Sequence, residues 1–120
     1  MFKLKELDLW KDKPEKKAYR FEAEGTKWVL LNLFKGKIAG EHYHKGIVKL
    51  KNPEVNIVIK GKIKYKLIDV NTKEEKEIIV EAPKIIEIYP NTYHKLEALE
   101  DSILIEPYEE NIKEKDWWDL

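Results

Sequence analysis

The chain has no cysteine, no glutamine, a single arginine and no apolar run longer than four residues. Without cysteine it can form neither a disulfide, nor a thiolate nucleophile, nor a metal site built on sulfur. Histidine and carboxylate are then the remaining ligands for a transition metal. The longest apolar run, residues 28–31, is far shorter than the roughly 20 residues that cross a bilayer, so we expect no membrane partner.

The N-terminus and the charge balance bear on location and partners. The first ten residues alternate charged and apolar side chains and lack the apolar stretch of a secretory signal, so we expect a cytoplasmic protein. Lysine plus arginine equals aspartate plus glutamate at 23 each, with both signs interspersed, so we expect no nucleic-acid partner. The lysine and glutamate bias fits a hyperthermophile, although an AT-rich genome gives much of the same bias.

Hydrophobic side chains recur with a period of two, most clearly over residues 62–67, which is typical of half-buried strands. With 120 residues, the chain is long enough for one domain and too short for two, so we treat residues 1–120 as a single domain. Turn residues separate further runs of the same kind, at 18–24, 27–34, 55–60, 77–81, 84–89, 94–99 and 102–108. The pattern predicts an all-β fold, with one short C-terminal helix over residues 109–118.

One predicted strand is apolar on both faces, because Val55, Ile57 and Ile59 alternate with Asn56 and Val58. Something must cover the outer face of this strand. The N-terminal strand folded across it is one explanation, and a second copy of the chain in a homodimer is the other.

The chain has three histidines, and their spacing indicates one site. The side chains of residues two apart on a strand point to the same face, so His42 and His44 can bind one ion or lie on either side of one substrate. About fifty residues later, Pro90 and Asn91 form a turn that leads to His94. The turn requires a left-handed backbone conformation at Asn91, and asparagine tolerates that conformation well.

This spacing resembles the two conserved motifs of the cupin superfamily, Gly-x5-His-x-His followed by Glu-x6-Gly, and Pro-x-Gly-x-x-His. The matching positions are Gly36, His42, His44, Glu54, Gly61 and His94. The resemblance covers residues 36–94, about half of the chain, and implies a cupin jelly-roll β-barrel. It also implies a divalent transition metal (zinc, manganese, iron or nickel) with His42, His44, Glu54 and His94 as ligands.

The chain departs from these motifs at two places. Nine residues separate His44 from Glu54, more than the family commonly has, and Asn91 replaces the glycine of the second motif. The longer gap is either a widened loop or a sign that the carboxylate ligand is lost and Glu54 is a surface residue. If Glu54 points inward, alternation places Asn56 and Val58 inward too.

The stretch from His42 to Lys45 and the chain ending from Ile105 are similar to small cupins that act on sugars, and distantly to dTDP-sugar 3,4-ketoisomerases. The resemblance implies a sugar or sugar-phosphate isomerase or epimerase in which His42, His44 or Glu54 moves a proton. The ketoisomerases also need an arginine just ahead of the histidine pair, whereas Arg20 lies well upstream. A metal-free ketoisomerase with histidine as acid and base, a non-catalytic module that binds a small ligand, and a dioxygenase stay open.

Overall fold

The computed structural model describes residues 1–109 and 115–120, which form ten β-strands. The strands are β1 (Asp8–Asp12), β2 (Lys16–Ala23), β3 (Thr26–Leu33), β4 (Ile38–His42), β5 (Glu54–Lys60), β6 (Lys62–Asp69), β7 (Glu75–Glu81), β8 (Lys84–Ile88), β9 (Thr92–Ala98) and β10 (Ser102–Pro107). Every predicted strand run is confirmed, and β1 and β4 are added. No helix among the described residues is long and apolar enough to cross a membrane.

The strands form two antiparallel sheets that face each other. The six-stranded sheet has the order β1-β2-β3-β10-β5-β8, and the four-stranded sheet has the order β4-β9-β6-β7. The period-two pattern sends one side chain of each pair into the space between the sheets, where Leu33, Val58, Ile63, Tyr65 and Leu104 are at most 1% exposed. Because β3 pairs with β10 and β4 with β9, distant parts of the sequence lie side by side within each sheet.

Strand β5 follows the alternation that the sequence predicts. Glu54, Asn56 and Val58 are buried on its inner face, so Ile57 and its neighbours face outward. The N-terminal strand does not cover that outer face, because β1 pairs with β2 at the far edge of the sheet and Phe2 is 90% exposed. Of the two covers that the sequence allowed, the N-terminal strand is therefore wrong.

The helix predicted over residues 109–118 is wrong for the part that the structure describes. Residues 115–118 are not helical, and residues 110–114 lie outside the described residues. Trp118 instead forms an antiparallel bridge with Tyr43, and the two rings stack with centroids 6.0 Å apart. Pairing with a neighbouring segment satisfies the backbone here, so the residues need no helical hydrogen bonds.

Candidate functional site

The structure brings the three imidazoles together between the sheets. His42 on β4 lies directly opposite His94 on β9, and their ring centroids are 4.8 Å apart. His44 lies 4.8 Å from His42 and 5.2 Å from His94 by the same measure. One ligand nitrogen from each ring lies within 4.8 Å of the other two, so these side chains form a possible metal site.

A bulge in β4 orients the His42 side chain toward the other two histidines. The pairing with β9 shifts register between Gly40 and His42, and both Gly40 and Glu41 have positive φ, at 84° and 68°. Gly40 has to be glycine, since a Cβ there would lie 2.8 Å from the His94 carbonyl oxygen. The bulge therefore places the β4 backbone tight against His94.

His44 lies two residues beyond the end of β4, so the expectation that both histidines of the pair share one regular strand is only partly right. The alternation nevertheless continues, because the C-terminal segment pairs with Tyr43 through hydrogen bonds of 2.9 and 3.0 Å. The predicted left-handed conformation of Asn91 is confirmed, with φ of 61°. Its N–H donates to the His44 carbonyl at 2.6 Å and so joins the two motifs.

Glu54 reaches the site despite the nine-residue gap. It is 6% exposed, so the alternative of a surface residue is wrong. One carboxylate oxygen lies 2.9 Å from His94 Nε2, and the other lies 3.6 Å from His44 Nε2 and 3.1 Å from Lys51 Nζ. Burial works against ionisation, but the adjacent His44 and His94 rings and the Lys51 ammonium hold the pKa of Glu54 well below its usual range. The role of Glu54 as a metal ligand stays a prediction.

Two histidines are oriented through Nδ1. His44 Nδ1 donates to the Asp116 carbonyl, and His94 Nδ1 donates to the Thr92 carbonyl at 3.2 Å. Because a carbonyl can only accept, Nδ1 carries a hydrogen in both rings, and a ring without a hydrogen on Nε2 presents the lone pair of that atom to the cavity. This is the arrangement of most metal-binding histidines, whose second nitrogen donates to a fixed acceptor.

The remaining contacts test whether these residues fit a metal ion. The Nε2 of His44 is buried and has no hydrogen-bond partner among residues 1–109 and 115–120. The lone pair of His94 Nε2 faces a Glu54 oxygen at 2.9 Å, which is repulsive unless a cation or a proton lies between the two atoms. Two neighbouring ligand atoms about 2.1 Å from one octahedral ion lie about 3.0 Å apart, so this distance suits a shared ion. The histidine nitrogens are spaced more widely, so the rings would have to close in slightly.

His42 is suited to bind as the neutral ring. Burial, with the charges that His94 and His44 can carry, lowers the pKa of His42 to about 4. The ring is therefore neutral at physiological pH, and neutral imidazole is the form that coordinates a metal.

Asp116 supports the site and was missed by the sequence reasoning. Its carboxylate accepts hydrogen bonds from the backbone N–H of Lys45 at 2.7 Å and of Val48 at 2.8 Å, while its carbonyl holds His44. The side chain is 4% exposed. No signal could have found it, because an aspartate in a charged tail, 72 residues from its histidine partner, looks like a solvated residue.

A cavity of about 210 Å³ extends from the histidines between the sheets, and a second carboxyl group, Glu106 on β10, lines it. Asn56 Nδ2 donates to Glu106 Oε2 at 3.1 Å, and Tyr65 Oη donates to Asn56 Oδ1 at 2.9 Å. Burial raises the pKa of Glu106. The sequence holds a signal for this residue, because Ser102, Leu104 and Glu106 alternate on the inner face of β10.

No protein-family model and no curated protein sequence matches the chain. Among solved structures, it is similar to the capsular polysaccharide assembling protein CapF of Staphylococcus aureus, with 18% identity and a TM-score of 0.73 over 98% of this chain and 32% of CapF. It is also similar to the oxalate decarboxylase of Lactobacillus farciminis, with 15% identity and a TM-score of 0.67 over 95% of this chain and 33% of that one. A third match is the CENP-C cupin domain of Drosophila melanogaster, with 12% identity and a TM-score of 0.65 over 85% of this chain and 70% of that one.

The chain spans about a third of the length of CapF and of the oxalate decarboxylase. The names of the three proteins describe polysaccharide assembly, decarboxylation and a CENP-C domain, so a shared fold does not carry one activity. Structural likenesses at such low sequence identity establish architecture, and the architecture that they establish for this chain is the cupin fold.

Proposed function

We propose that the chain binds a divalent transition metal through His42, His44, His94 and Glu54, and that it isomerises or epimerises a small sugar or sugar phosphate. The observation that carries the metal part is the unpartnered, buried Nε2 of His44 beside two further imidazoles and a carboxylate. A metal ion gives these lone pairs a common partner. Without an ion, a proton would have to lie between His94 Nε2 and the Glu54 carboxylate.

The bound ion would polarise a carbonyl group of the substrate. Glu106 is better placed than Glu54 to move the proton on the adjacent carbon, because Glu54 is already held by Lys51 and His94. The hydrogen bond from Asn56 orients the Glu106 carboxyl, and Tyr65 in turn orients Asn56. The surroundings lower the pKa of Glu54 and raise the pKa of Glu106. Enzymes commonly assign the acid and base roles to two carboxyl groups whose pKa values differ in this way.

The sugar part of the proposal rests on the cavity and on one structural likeness. The cavity is polar around the histidines, Asn56 and Glu106, and its 210 Å³ suits a molecule of sugar size. The structural likeness to CapF, whose name refers to polysaccharide assembly, agrees with a sugar substrate.

Elemental analysis of the protein, expressed with added transition metals, tests the metal part. We expect close to one equivalent of metal in the wild type and a clear loss in Glu54→Gln. Glu97→Gln is the matched control, because Glu97 pairs with Lys64 on β6 rather than with the histidines. Less than about a tenth of an equivalent in the wild type would refute a metal centre.

Deuterium exchange tests the reaction. The protein is incubated in D₂O with a panel of sugars and sugar phosphates, and NMR follows exchange at carbon-bound positions beside a carbonyl. Exchange that Glu106→Gln abolishes and that chelation abolishes agrees with the proposal. Exchange that survives chelation favours the metal-free ketoisomerase, and saturable binding without exchange favours the ligand-binding module.

We also propose that the outer face of the six-stranded sheet is covered by a second copy of the chain. Ile57 pairs in register with Ile85 on β8 and with Ile105 on β10, so these three isoleucines form one outward row. Ile85 is 63% exposed, and a contiguous apolar row of this kind is typical of an interface. Light scattering should give a dimer that Ile57→Lys dissociates, and a monomeric wild type would contradict the proposal.

A further inference from the structure

The inner face of β2 carries cations where a sheet usually carries apolar side chains. Lys16 and Arg20 flank Ala18, which is 1% exposed and faces the core. Residues two apart on a strand share a face, so both cations point inward. Lys11 on β1 lies directly opposite Ala18 in the register and so belongs to the same face. Three positive charges therefore gather on one inner surface.

Two of these cations border the cavity of the histidine site. Lys11 and Lys16 line the same space as His42, Glu54 and His94, and both lysines are half-buried. Within residues 1–109 and 115–120, neither lysine forms an ion pair with a carboxylate. The ammonium of Lys11 instead lies 4.3 Å from the centroid of the Trp10 ring.

The Arg20 guanidinium also has a donor that lacks an acceptor among the described residues. This guanidinium stacks on the same Trp10 ring at 3.8 Å, and its Nε is buried and has no hydrogen-bond partner in the part of the chain that the structure describes. Burial, and then the neighbouring cations Lys16, Lys13 and Arg20, lower the pKa of Lys11. Glu106 acts on the pKa of Lys11 in the opposite direction, so one carboxyl group of the cavity is near these cations, but within the described residues it forms no ion pair with Lys11 or Lys16.

The two carboxyl groups of the cavity, Glu54 and Glu106, have closer partners than these lysines. Glu54 is shared with Lys51 and His94, and Glu106 already accepts from Asn56. A divalent ion at the histidines would add further positive charge. Lysines can also protect the edge of a sheet against pairing with another chain, but β2 is hydrogen-bonded on both sides, by β1 and β3. Edge protection therefore does not explain Lys16.

We infer that the ligand of this cavity carries an oxyanion group, a phosphate or a carboxylate, which Lys11 and Lys16 bind while the rest of the molecule reaches the histidine site. This inference rests on the proposed function, since it names the class of substrate for the same site. Ammonium groups bind both oxyanions as point charges, so phosphate and carboxylate share one chemistry here.

Calorimetry with three matched probes tests the inference. Glucose 6-phosphate, glucuronate and glucose present the same ring with a phosphate, a carboxylate or no charge. We expect the protein as purified to bind at least one charged probe about tenfold or more tightly than glucose. The double variant Lys11→Met/Lys16→Met should lose that preference. Lys17→Met is the matched control, because Lys17 neighbours Lys16 on β2 but points to the opposite face, near Tyr19.

A second variant keeps the inference falsifiable if the methionine variant does not fold. Lys11→Arg/Lys16→Arg retains both charges and should retain the preference for the charged probe. Equal binding of all three probes by the wild type, no binding of any probe, or an undiminished preference in a folded methionine variant would each overturn the inference. The relative affinities of the phosphate and carboxylate probes identify the oxyanion.

Metal content measured on the same samples separates this inference from the proposed function. A wild type that lacks metal but prefers the charged probe defeats the metal centre and supports the lysine site. A wild type that holds metal but shows no preference supports the metal centre and defeats the lysine site. The methionine variant should keep the metal content of the wild type, because neither lysine contacts a histidine.

Discussion

Asp116→Ala should destabilise the protein and weaken metal binding together. The substitution removes the acceptors of two backbone N–H groups, those of Lys45 and Val48, in a site where Asp116 is 4% exposed. A hydrogen bond to a charged group contributes about 1.5–3 kcal/mol, and two bonds to one carboxylate are not additive. We therefore expect a loss of about 2–4 kcal/mol, a large part of the 5–15 kcal/mol that is typical of a domain.

The same substitution loosens the segment that orients His44. The Asp116 carbonyl remains in the variant, but its position depends on the carboxylate that anchors the tail to residues 45–48. Loss of a partner that orients a metal ligand typically costs about 10–100-fold in metal affinity, and we expect a loss in that range.

Urea unfolding of the metal-free protein, followed by tryptophan fluorescence, measures the first effect, and a competition titration with a chelator measures the second. Asp119→Ala is the matched control, because Asp119 is an exposed aspartate in the same tail. Unfolding within about 0.5 kcal/mol of the wild type, with unchanged metal affinity, would show that the tail does not support the site.

Three further predictions follow from the backbone and the histidines. Gly40→Ala should reduce metal content and stability, because φ at this residue is 84° and the added Cβ would lie 2.8 Å from the His94 carbonyl oxygen. A variant that keeps the melting temperature and metal content of the wild type would contradict the bulge geometry. Asn91→Gly should be nearly neutral in thermal unfolding, whereas Asn91→Ala should cost about 1 kcal/mol, because φ is 61°. In metal-free protein, stability should fall as pH decreases from about 6.5 to about 4, because the unfolded chain protonates His42 before the folded chain does. The half-exposed ring limits this loss to about 1–2 kcal/mol, and His42→Phe should flatten the profile.

Much of the fold could be predicted, because it depends on a local pattern. Alternating side chains mark β2, β3 and β5 to β10 in the sequence, and the parity of β5 correctly places Glu54, Asn56 and Val58 inward. The left-handed turn at Asn91 was also predictable, since it depends on the conformational tolerance of one residue. These features need no knowledge of what lies across the core.

The features that were missed or wrongly predicted depend on contacts between distant segments. The C-terminal segment looked helical, yet Trp118 pairs with Tyr43. The inward position of Lys16 and Arg20 depends on the same kind of pairing, because the register places Lys11 opposite Ala18, which lies between them. Local propensity carries no information on such pairings.

The nine-residue gap shows why the length of a loop is a poor guide to whether its end residue reaches a site. A few additional residues in a loop cost little, because the entropy of closing a loop grows only with the logarithm of its length. Asp116 fixes the start of this loop through Lys45 and Val48, and Glu54 fixes its end through Lys51. Between these anchors, the Lys51 N–H donates to the Val48 carbonyl at 2.9 Å, so the added residues form a closed turn. Whether the Glu54 carboxylate reaches the histidines depends on the face of β5 on which Glu54 lies. The alternation of apolar residues after Glu54 determines that face.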